Sequence, residues 1–338
     1  MSYQIQVAGT AHRFECGEGE TLLDAAQRAG FEMPYSCKKG ICGSCRGGVV
    51  DGQLDCTGAH EGLSEADRAR GMVLYCRAKP QGDLVIAPVS ISKADPAARR
   101  VVKAKVFRIS QPAPDVTQLQ LRFPAGVKVK FRAGQYLQVV FGENERRSFS
   151  MANPPSASDG ALLHIRNVAG GSFSANVLPT LQPGDVLKVE LPYGDFYLRE
   201  DSDKPIIFVA SGTGFAPIHS IVEYALSRNV QRPMSLYWGA RRAADLYALE
   251  VPKKWLERSA GFRFIPVLSA PEPEDGWTGR TGFVHRAVMD DHPSLANMQV
   301  YACGAPAMTS AARQDFTSLR ALPSDEFFCD AFVAGPAS

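Results

Sequence analysis

The sequence predicts a multidomain protein that combines an α+β domain, an antiparallel β-barrel and an α/β domain. Its 338 residues are more than one hydrophobic core usually serves, and 45% of them are apolar, enough for each domain to bury its own core. A polar stretch with a proline breaks the apolar pattern at residues 92–100. Strand-like alternation before residue 203 gives way to strand–turn–helix alternation after it. We therefore expect domains at residues 1–92, 101–202 and 203–338, with residues 93–100 as a linker.

The charges argue against two classes of partner. The 37 basic and 35 acidic residues are spread along the chain without a basic stripe, and the net charge is +2. Neither a nucleic acid nor an anionic membrane surface is therefore an expected partner. Residues 1–7 alternate like a strand and lack the pattern of a targeting peptide, and no transmembrane run follows. We expect a cytoplasmic monomer.

The first domain begins with two alternating segments, residues 3–7 and 11–15, that predict paired strands. Residues 21–30 have a short helical pattern, with Gly30 as the expected C-terminal stop. Turn-rich strands at residues 47–52, a run that ends at Cys76 and a closing strand at residues 83–87 complete the domain.

Four cysteines of this domain carry its chemistry: Cys37, Cys42, Cys45 and Cys76. Four and then two residues separate the first three. The spacing resembles the ligand loop of a plant-type ferredoxin, which holds a [2Fe–2S] cluster, and the resemblance implies a β-grasp sheet crossed by one helix. Gly40 and Gly43 suit a loop that must adopt positive φ and bring N–H groups close to sulfur. A zinc site, which usually shows two Cys-x-x-Cys pairs, and a disulfide framework, which belongs to short secreted chains, are the alternatives. The remaining thiols are expected to be isolated and reduced: Cys16, Cys56, Cys303 and Cys329.

The second domain consists of short alternating strands between glycines and prolines, which predict the antiparallel barrel. The expected strands are residues 101–109, 116–123, 136–141, 162–168 and 186–191. A further strand contains Arg147-Ser148-Phe149-Ser150. The segment His164-Ile165-Arg166 leads into Gly170-Gly171-Ser172-Phe173-Ser174, a glycine turn that opens a helix. Such a helix start suits a phosphate group, although an ordinary serine-capped helix has the same pattern.

The third domain begins with a continuous apolar run at residues 205–210, the pattern of a buried parallel strand. The turn Gly212-Thr213-Gly214 and a helix at residues 217–226 follow, with Pro217 in its first turn. Apolar strands at residues 234–238, 262–268 and 299–302 alternate with helical stretches, which predicts a doubly wound parallel sheet.

These motifs, in this order, resemble the ferredoxin–NADP reductase superfamily, and the whole chain is similar to three-domain reductase components of Rieske ring-hydroxylating dioxygenases. The resemblance implies that Arg147 pairs with the pyrophosphate of FAD, that Phe149 stacks on the flavin ring and that Ser150 contacts its reactive edge. The family usually has tyrosine at the stacking position, so one hydroxyl is missing here. By the same resemblance, Cys303 lies beside the nicotinamide, and Phe332 belongs to a tail that covers the flavin. A small buried cysteine and a core aromatic residue are the alternatives for these two positions.

The resemblance names Ser150, Cys303 and Phe332 as catalytic residues. It names a larger set as cofactor-binding: Arg147, Ser148, Phe149, Ser150, His164, Ile165, Arg166, Gly170, Gly171, Ser172, Phe173, Ser174, Gly212, Thr213, Gly214, Pro217, Gly239, Arg241, Cys303, Gly304, Met308 and Phe332. The residues Arg241 and Arg242 would favour a 2′-phosphate and Asp245 would disfavour it, so both NADH and NADPH are candidates, with NADH expected.

The implied function is to pass electrons from NADH or NADPH through FAD and the cluster to a terminal oxygenase. A hydride brings two electrons and the cluster accepts one at a time, and a flavin can do both. A Rieske aromatic-ring dioxygenase is the expected partner. The reductase of a soluble di-iron monooxygenase, or of a sugar-deoxygenation dehydratase, shares the same three modules. A stand-alone iron–sulfur carrier or redox sensor is the alternative from another functional class.

Overall fold

The first sheet is built from residues 2–93 and mixes parallel and antiparallel pairs. The computed structural model describes residues 2–57, 62–95, 98–143 and 145–333. The elements of this part are β1 (Ser2–Val7), β2 (Arg13–Gly17), α1 (Leu22–Arg28), β3 (Phe31–Glu32), β4 (Arg46–Asp51), β5 (Leu54–Asp55), α2 (Glu65–Ala69), β6 (Met72–Leu74), β7 (Lys79–Pro80), β8 (Leu84–Pro88) and β9 (Ser92–Lys93). The main sheet has the strand order β2-β1-β8-β4-β6, and only β1 and β8 run parallel among its pairs.

The local signals of this part are confirmed. The first two strands pair antiparallel, as their alternation predicts. Thr21 caps α1 by accepting from the amide of Asp24, and Gly30 follows the helix with a φ of +79°. The expected linker, residues 93–100, begins in regular secondary structure, because its first residue lies in β9, which pairs with β3. Residues 96–97 of that linker lie outside the described residues.

The second sheet is antiparallel throughout, and its two edges meet. Its elements are β10 (Arg100–Ala113), β11 (Val116–Arg122), β12 (Tyr136–Phe141), β13 (Glu145–Ser150), β14 (Gly160–Arg166), α3 (Ser172–Asn176) and β15 (Val186–Tyr193). The strand order is β13-β12-β15-β10-β11-β14. An isolated antiparallel bridge between Met151 and Leu163 joins the two edge strands, and apolar side chains fill the interior. The expected barrel strands are all present, with β10 longer at both ends than its alternation predicts.

The third sheet is parallel, with apolar clusters on both faces. Its elements are β16 (Ile206–Ser211), α4 (Phe215–Ser227), β17 (Met234–Ala240), α5 (Glu250–Arg258), β18 (Phe262–Leu268), β19 (Arg280–Thr281), α6 (Val284–Asp291), β20 (Gln299–Gly304), α7 (Pro306–Leu319) and β21 (Phe327–Ala331). The strand order is β19-β18-β17-β16-β20-β21. After β19 the chain crosses through α6 to the other side of β16, where β20 and β21 lie, as in a doubly wound sheet. No helix among the described residues is both long and apolar enough to cross a membrane.

The first domain packs against both of the others. The amide of Asp195 donates to the carbonyl of Tyr35 at 2.9 Å, and the stacked rings of Tyr136 and Tyr193 join the apolar core of the first domain. On the other side, the hydroxyls of Ser64 and Ser324 lie 3.0 Å apart. The cysteine loop therefore lies where the three sheets meet.

Candidate functional site

The four predicted ligand cysteines form two pairs. Cys42, Cys45 and Cys76 are buried and Cys37 is partly buried. Cys37 hydrogen-bonds with Cys42, and Cys45 with Cys76. These bonds, together with burial, raise the pKa of Cys37 and Cys45, whereas the same bonds lower the pKa of their partners.

Backbone amides of the loop point at sulfur. Lys39 and Cys42 donate to Sγ of Cys37 at 3.3 and 3.4 Å, and Cys37 donates to Sγ of Cys42 at 3.5 Å. The loop reaches this shape through positive φ at Gly40 and Gly43, as the sequence predicts, and also at Lys38. A Cβ on Gly43 would lie 2.2 Å from the carbonyl oxygen of Gly62, so no larger residue fits there.

The donor set suits a two-iron cluster better than a single ion. Among the described residues, no three histidine, cysteine, aspartate or glutamate side chains converge as the ligands of one metal would. A [2Fe–2S] cluster spreads its four thiolates over two irons, which is the paired arrangement seen here. The amides that surround the sulfurs are the hydrogen bonds expected to stabilise such a cluster. The residues present therefore fit a [2Fe–2S] cluster.

The predicted flavin strand lies at the end of β13. Arg147 is partly buried, and burial lowers the pKa of its guanidinium. Its Nη2 lies 3.5 Å from the carbonyl of Val333, and no carboxylate of the described residues pairs with it. A cation that lacks an acidic partner can receive a phosphate oxygen. Phe149 is partly exposed and packs on the buried Phe173 at 5.1 Å between ring centroids.

The glycine turn before α3 is closed by its own serine. The hydroxyl of Ser174 accepts from the amide of Val168 and donates to its carbonyl, at 3.2 and 3.1 Å. A Cβ on Gly171 would lie 2.5 Å from that hydroxyl. Gly170 has a φ of +73°, and Ser172 begins a helix of five residues. The turn is thus preformed, and Phe173 connects it to Phe149 through the barrel core.

A carboxylate that the sequence reasoning missed completes this site. Asp330 is buried at the end of β21, and its Oδ2 lies 3.5 Å from the hydroxyl of Ser150. This distance is longer than that of an ordinary O–H···O hydrogen bond. Burial, with a smaller contribution from the charge of Cys42, raises the pKa of Asp330 to about 7. The available signal was an acidic residue inside an otherwise apolar strand, two positions before Phe332.

The segment after β21 approaches the flavin strand. Phe332 donates its amide to the carbonyl of Gly304 at 2.8 Å, and the next carbonyl faces Arg147. The side chain of Phe332 is partly buried against an apolar cluster that contains Cys303. The backbone that follows Phe332 therefore lies next to Arg147, and the predicted covering role of Phe332 stays a prediction. The rest of the tail, residues 334–338, lies outside the described residues.

The predicted coenzyme turn interlocks with the last part of the sheet. A Cβ on Gly214 would lie 2.1 Å from the carbonyl oxygen of Cys303, and one on Gly304 would lie 2.2 Å from the hydroxyl of Ser211. Trp238 donates its indole N–H to the carbonyl of Gly212 at 3.1 Å, a support that the motif alone did not reveal. Thr213 is buried, and Pro217 lies in the first turn of α4, which begins two residues earlier than expected.

Cys303 is fully buried at the end of β20. Burial raises the pKa of its thiol well above the ordinary value, so the side chain is a neutral thiol at physiological pH. Met308, in the first turn of α7, packs on a different cluster, which contains Cys42 and Cys329. Contact of either residue with a coenzyme stays a prediction.

The two arginines at the expected adenosine end differ in their surroundings. Arg241 is exposed, whereas Arg242 is held by Glu272 and by Asp275, whose Oδ2 lies 2.6 Å from its Nε. Gly239 packs tightly on α6, because a Cβ there would lie 2.8 Å from Cβ of Val284. Only Arg241 of this pair is therefore available to a ligand.

The segment at the end of β14 links barrel and parallel sheet. His164 is buried, its Nδ1 lies 2.9 Å from the hydroxyl of Tyr247, and burial lowers its pKa to about 3. Ile165 lies in the barrel core. Arg166 pairs with Asp115 at 2.7 Å, and its Nη1 lies 2.9 Å from the position of a Cβ on Gly212. Arg166 is thus the member of this segment that borders the coenzyme turn.

Sequence models of three domain families match the chain in succession. They are a 2Fe-2S iron-sulfur cluster binding domain at residues 5–81, an oxidoreductase FAD-binding domain at residues 103–197 and an oxidoreductase NAD-binding domain at residues 208–314. The chain is 39% identical over 340 residues to terephthalate 1,2-dioxygenase reductase component 2 of Comamonas sp., with 99% of each chain covered. It is 36% identical over 333 residues to the CDP-6-deoxy-L-threo-D-glycero-4-hexulose-3-dehydrase reductase of Yersinia pseudotuberculosis, with 98% of this chain and 99% of the relative covered. The crystal structure of an Amycolatopsis cytochrome P450 reductase matches with a TM-score of 0.75 and 35% identity, over 99% of this chain and 100% of the other.

Proposed function

This chain belongs to the family of reductases that join a [2Fe–2S] domain to FAD- and NAD-binding domains, and we propose that it supplies electrons from NADH to a Rieske aromatic-ring dioxygenase. It is an NAD(P)H-dependent flavin iron–sulfur oxidoreductase of the electron-transfer type. The observation that carries the proposal is the meeting of three features at one junction: the cysteine loop, the Ser150–Asp330 pair and the glycine turn at Gly214.

Membership of this family also supports an assignment of each sheet to a domain type. We assign the mixed sheet to a β-grasp domain, the closed antiparallel sheet to the flavin domain and the parallel sheet to a doubly wound nucleotide domain. The expected boundaries, residues 1–92, 101–202 and 203–338, enclose the three matched stretches and remain a proposal.

Each cofactor has residues suited to hold it. Cys37, Cys42, Cys45 and Cys76 would ligate the two irons in their observed pairs. Arg147 and the turn that Ser174 closes would take the phosphates of FAD, and Phe149 would face the ring. When bound, FAD takes up hydride electrons in pairs and releases them singly.

The chain's own groups would prepare the reacting edge of the flavin. The hydroxyl of Ser150 could donate its one proton to a ring nitrogen when Asp330 is protonated and donates to the hydroxyl, whereas an ionised Asp330 would accept that proton itself. Because Asp330 titrates near neutral pH, the pair can hold a proton at the position where a reduced flavin would need one. The apolar packing of Cys303 and Phe332 would exclude water from the same place.

NADH is the proposed donor. A 2′-phosphate needs free cationic donors, and Arg242 already faces two carboxylates. A phosphate brought to that loop would meet the negative charge of Glu272 and Asp275 as well as Arg241.

The partner is proposed from relatives of similar identity. The dioxygenase reductase component at 39% identity supports a Rieske dioxygenase, and the dehydrase reductase at 36% makes a sugar-deoxygenation dehydratase the second candidate. The discriminating experiment offers the NADH-reduced chain each purified acceptor, and cytochrome c as an unspecific control, in a stopped-flow spectrometer. The proposal requires reduction of the Rieske centre faster than that of cytochrome c. Preferential reduction of the dehydratase would reassign the partner.

The electron path itself is tested without a partner. The purified chain is titrated anaerobically with NADH, and separately with NADPH, under visible absorbance and electron paramagnetic resonance. Flavin bleaching together with a reduced-cluster signal is the expected result. An oxidised cluster after full flavin bleaching would contradict the path and favour a separate carrier or sensor role.

A further inference from the structure

Helix α7 of the nucleotide domain carries a buried arginine that reaches the cysteine loop. Arg313 is 2% exposed, and its Nη2 donates to the carbonyl of Cys42. The guanidinium also packs on the ring of Phe327, 4.5 Å from its centroid. A Cβ on Gly43 would lie 2.8 Å from Nη2 of Arg313, so the guanidinium is in close contact with the loop itself.

This cation lacks an acidic partner. Within the residues that the structure describes, no carboxylate lies within ion-pair distance of Arg313, and its buried Nη1 has no hydrogen-bond partner. The neighbouring Arg46 differs, because its Nε lies 4.0 Å from Asp67 and Asp325 adds a favourable charge. A buried, unpaired cation is among the costliest arrangements in a protein, so an anion is expected beside Arg313.

The two arginines reinforce that expectation. Arg46 donates its Nη1 to the carbonyl of Gly43 at 3.3 Å, and Arg313 donates to the adjacent carbonyl of Cys42, so two guanidinium groups lie against the same loop. Asp67 is shared between Arg46 and Arg70, whose Nη2 lies 2.7 Å from its Oδ1, so this carboxylate does not balance the charge of Arg313 as well. The missing negative charge must therefore come from the loop that Arg313 touches.

A [2Fe–2S] cluster would supply it. Its four thiolates and two sulfides outweigh the charge of the irons, and reduction adds one further negative charge. We infer that Arg313 is the counter-ion of the cluster, a residue of the nucleotide domain that raises the reduction potential of the iron–sulfur centre in the first domain. The inference rests on the proposed function, since it requires the cluster.

The domain to which Arg313 belongs gives this residue a second role. Because Arg313 belongs to another domain, the potential of the cluster depends on the packing of the two domains. Packing of α7 against the cysteine loop would thus make the cluster a better electron acceptor. Arg313 is a positioning residue in this sense, since it acts through the cluster and through the carbonyl of Cys42.

The test measures the reduction potential of the cluster in the purified holoprotein, by dye-mediated titration under electron paramagnetic resonance. Three variants are compared with wild type: Arg313→Met, Arg313→Lys and Arg68→Gln. Arg68 is the matched control, because it lines the same interdomain cleft but is exposed, where solvent screens its charge.

Arg313→Met is expected to lower the equilibrium constant for cluster reduction about tenfold, a fall of roughly 59 mV for one electron. Arg313→Lys and Arg68→Gln should stay within about twofold of wild type, because the charge is kept or was screened. An unchanged potential in Arg313→Met overturns the inference.

If Arg313→Met does not fold, Arg313→Lys decides alone, because a tenfold fall with the charge retained would also overturn the inference. Failure of the proposed function is distinguishable, since it would leave wild type itself without a cluster that NADH reduces.

Discussion

Asp330 provides the sharpest test of the site geometry, through the dependence of stability on pH. Burial raises its pKa from the ordinary 3.8 to about 7, and no cation of the described residues pairs with it. The folded protein therefore binds this proton more tightly than the unfolded chain does. The resulting stability is fully present below the unfolded pKa and is lost as the pH rises through 7. Replacement by asparagine, which has the same shape and no charge, should remove this dependence.

The size of the effect follows from the shift. One pKa unit corresponds to about 1.36 kcal/mol, so the wild type loses about 3 kcal/mol between pH 5 and pH 8 that Asp330→Asn does not lose. For folded units of this size, that difference corresponds to a change of roughly 6 to 12 °C in melting temperature.

The assay is thermal unfolding of the oxidised holoprotein at pH 5 and pH 8, at one scan rate. Asp330→Asn should gain markedly more over wild type at pH 8 than at pH 5. Asp195→Asn is the contrasting variant: Asp195 is partly buried and its pKa is also raised, but its Oδ2 lies 2.7 Å from Nη2 of Arg199. Loss of that partner should destabilise the protein at both pH values. Equal shifts at the two pH values in Asp330→Asn would refute the reasoning.

Three further predictions concern the cluster, the coenzyme turn and the coenzyme. Cys42→Ser should abolish electron transfer to a one-electron protein acceptor yet leave NADH oxidation by ferricyanide, because ferricyanide takes electrons from the flavin. The control variant Cys56→Ser should keep both activities. Loss of both activities in Cys42→Ser would count against an electron-transfer role for the cluster. Gly214→Ala places a Cβ 2.1 Å from the carbonyl oxygen of Cys303 and should cost about 1 to 3 kcal/mol in stability, measured by melting temperature, whereas Gly82→Ala, with open space around it, should be neutral. The double change Glu272→Gln and Asp275→Asn frees Arg242 and should lower the KM for NADPH about tenfold with little change for NADH; an unchanged ratio of the two KM values would mean that the 2′-phosphate binds elsewhere.

Local sequence patterns predicted those parts of the site that local physics determines. The cysteine spacing indicated a loop that needs positive φ, and Gly40 and Gly43 have it. The apolar run before Gly212 indicated a buried parallel strand because only a strand covered on both faces lacks alternation. In each case, one short segment contained the whole signal.

The parts that escaped prediction depend on contacts between distant segments. Asp330 reads as an isolated acidic residue until β21 brings it beside Ser150, 180 positions earlier in the chain. In the sequence, Arg241 and Arg242 form one basic patch. In the structure, Glu272 and Asp275 pair with Arg242 alone. Neither pairing has a periodicity or a motif, since the partners meet only through sheet order.

The junction of the domains is the part that the sequence predicts least well. The order of the domains along the chain does not show how they contact one another. The order of cluster, flavin and nucleotide segments along the chain suggests a relay with the cluster at one end. In the folded chain, the loop of Cys42 contacts the nucleotide domain directly through Arg313. The cluster domain is thus held by the domain that binds the electron donor as well as by the flavin domain. Its potential and its distance from the flavin are therefore fixed together, by packing at one junction rather than by the length of the linker.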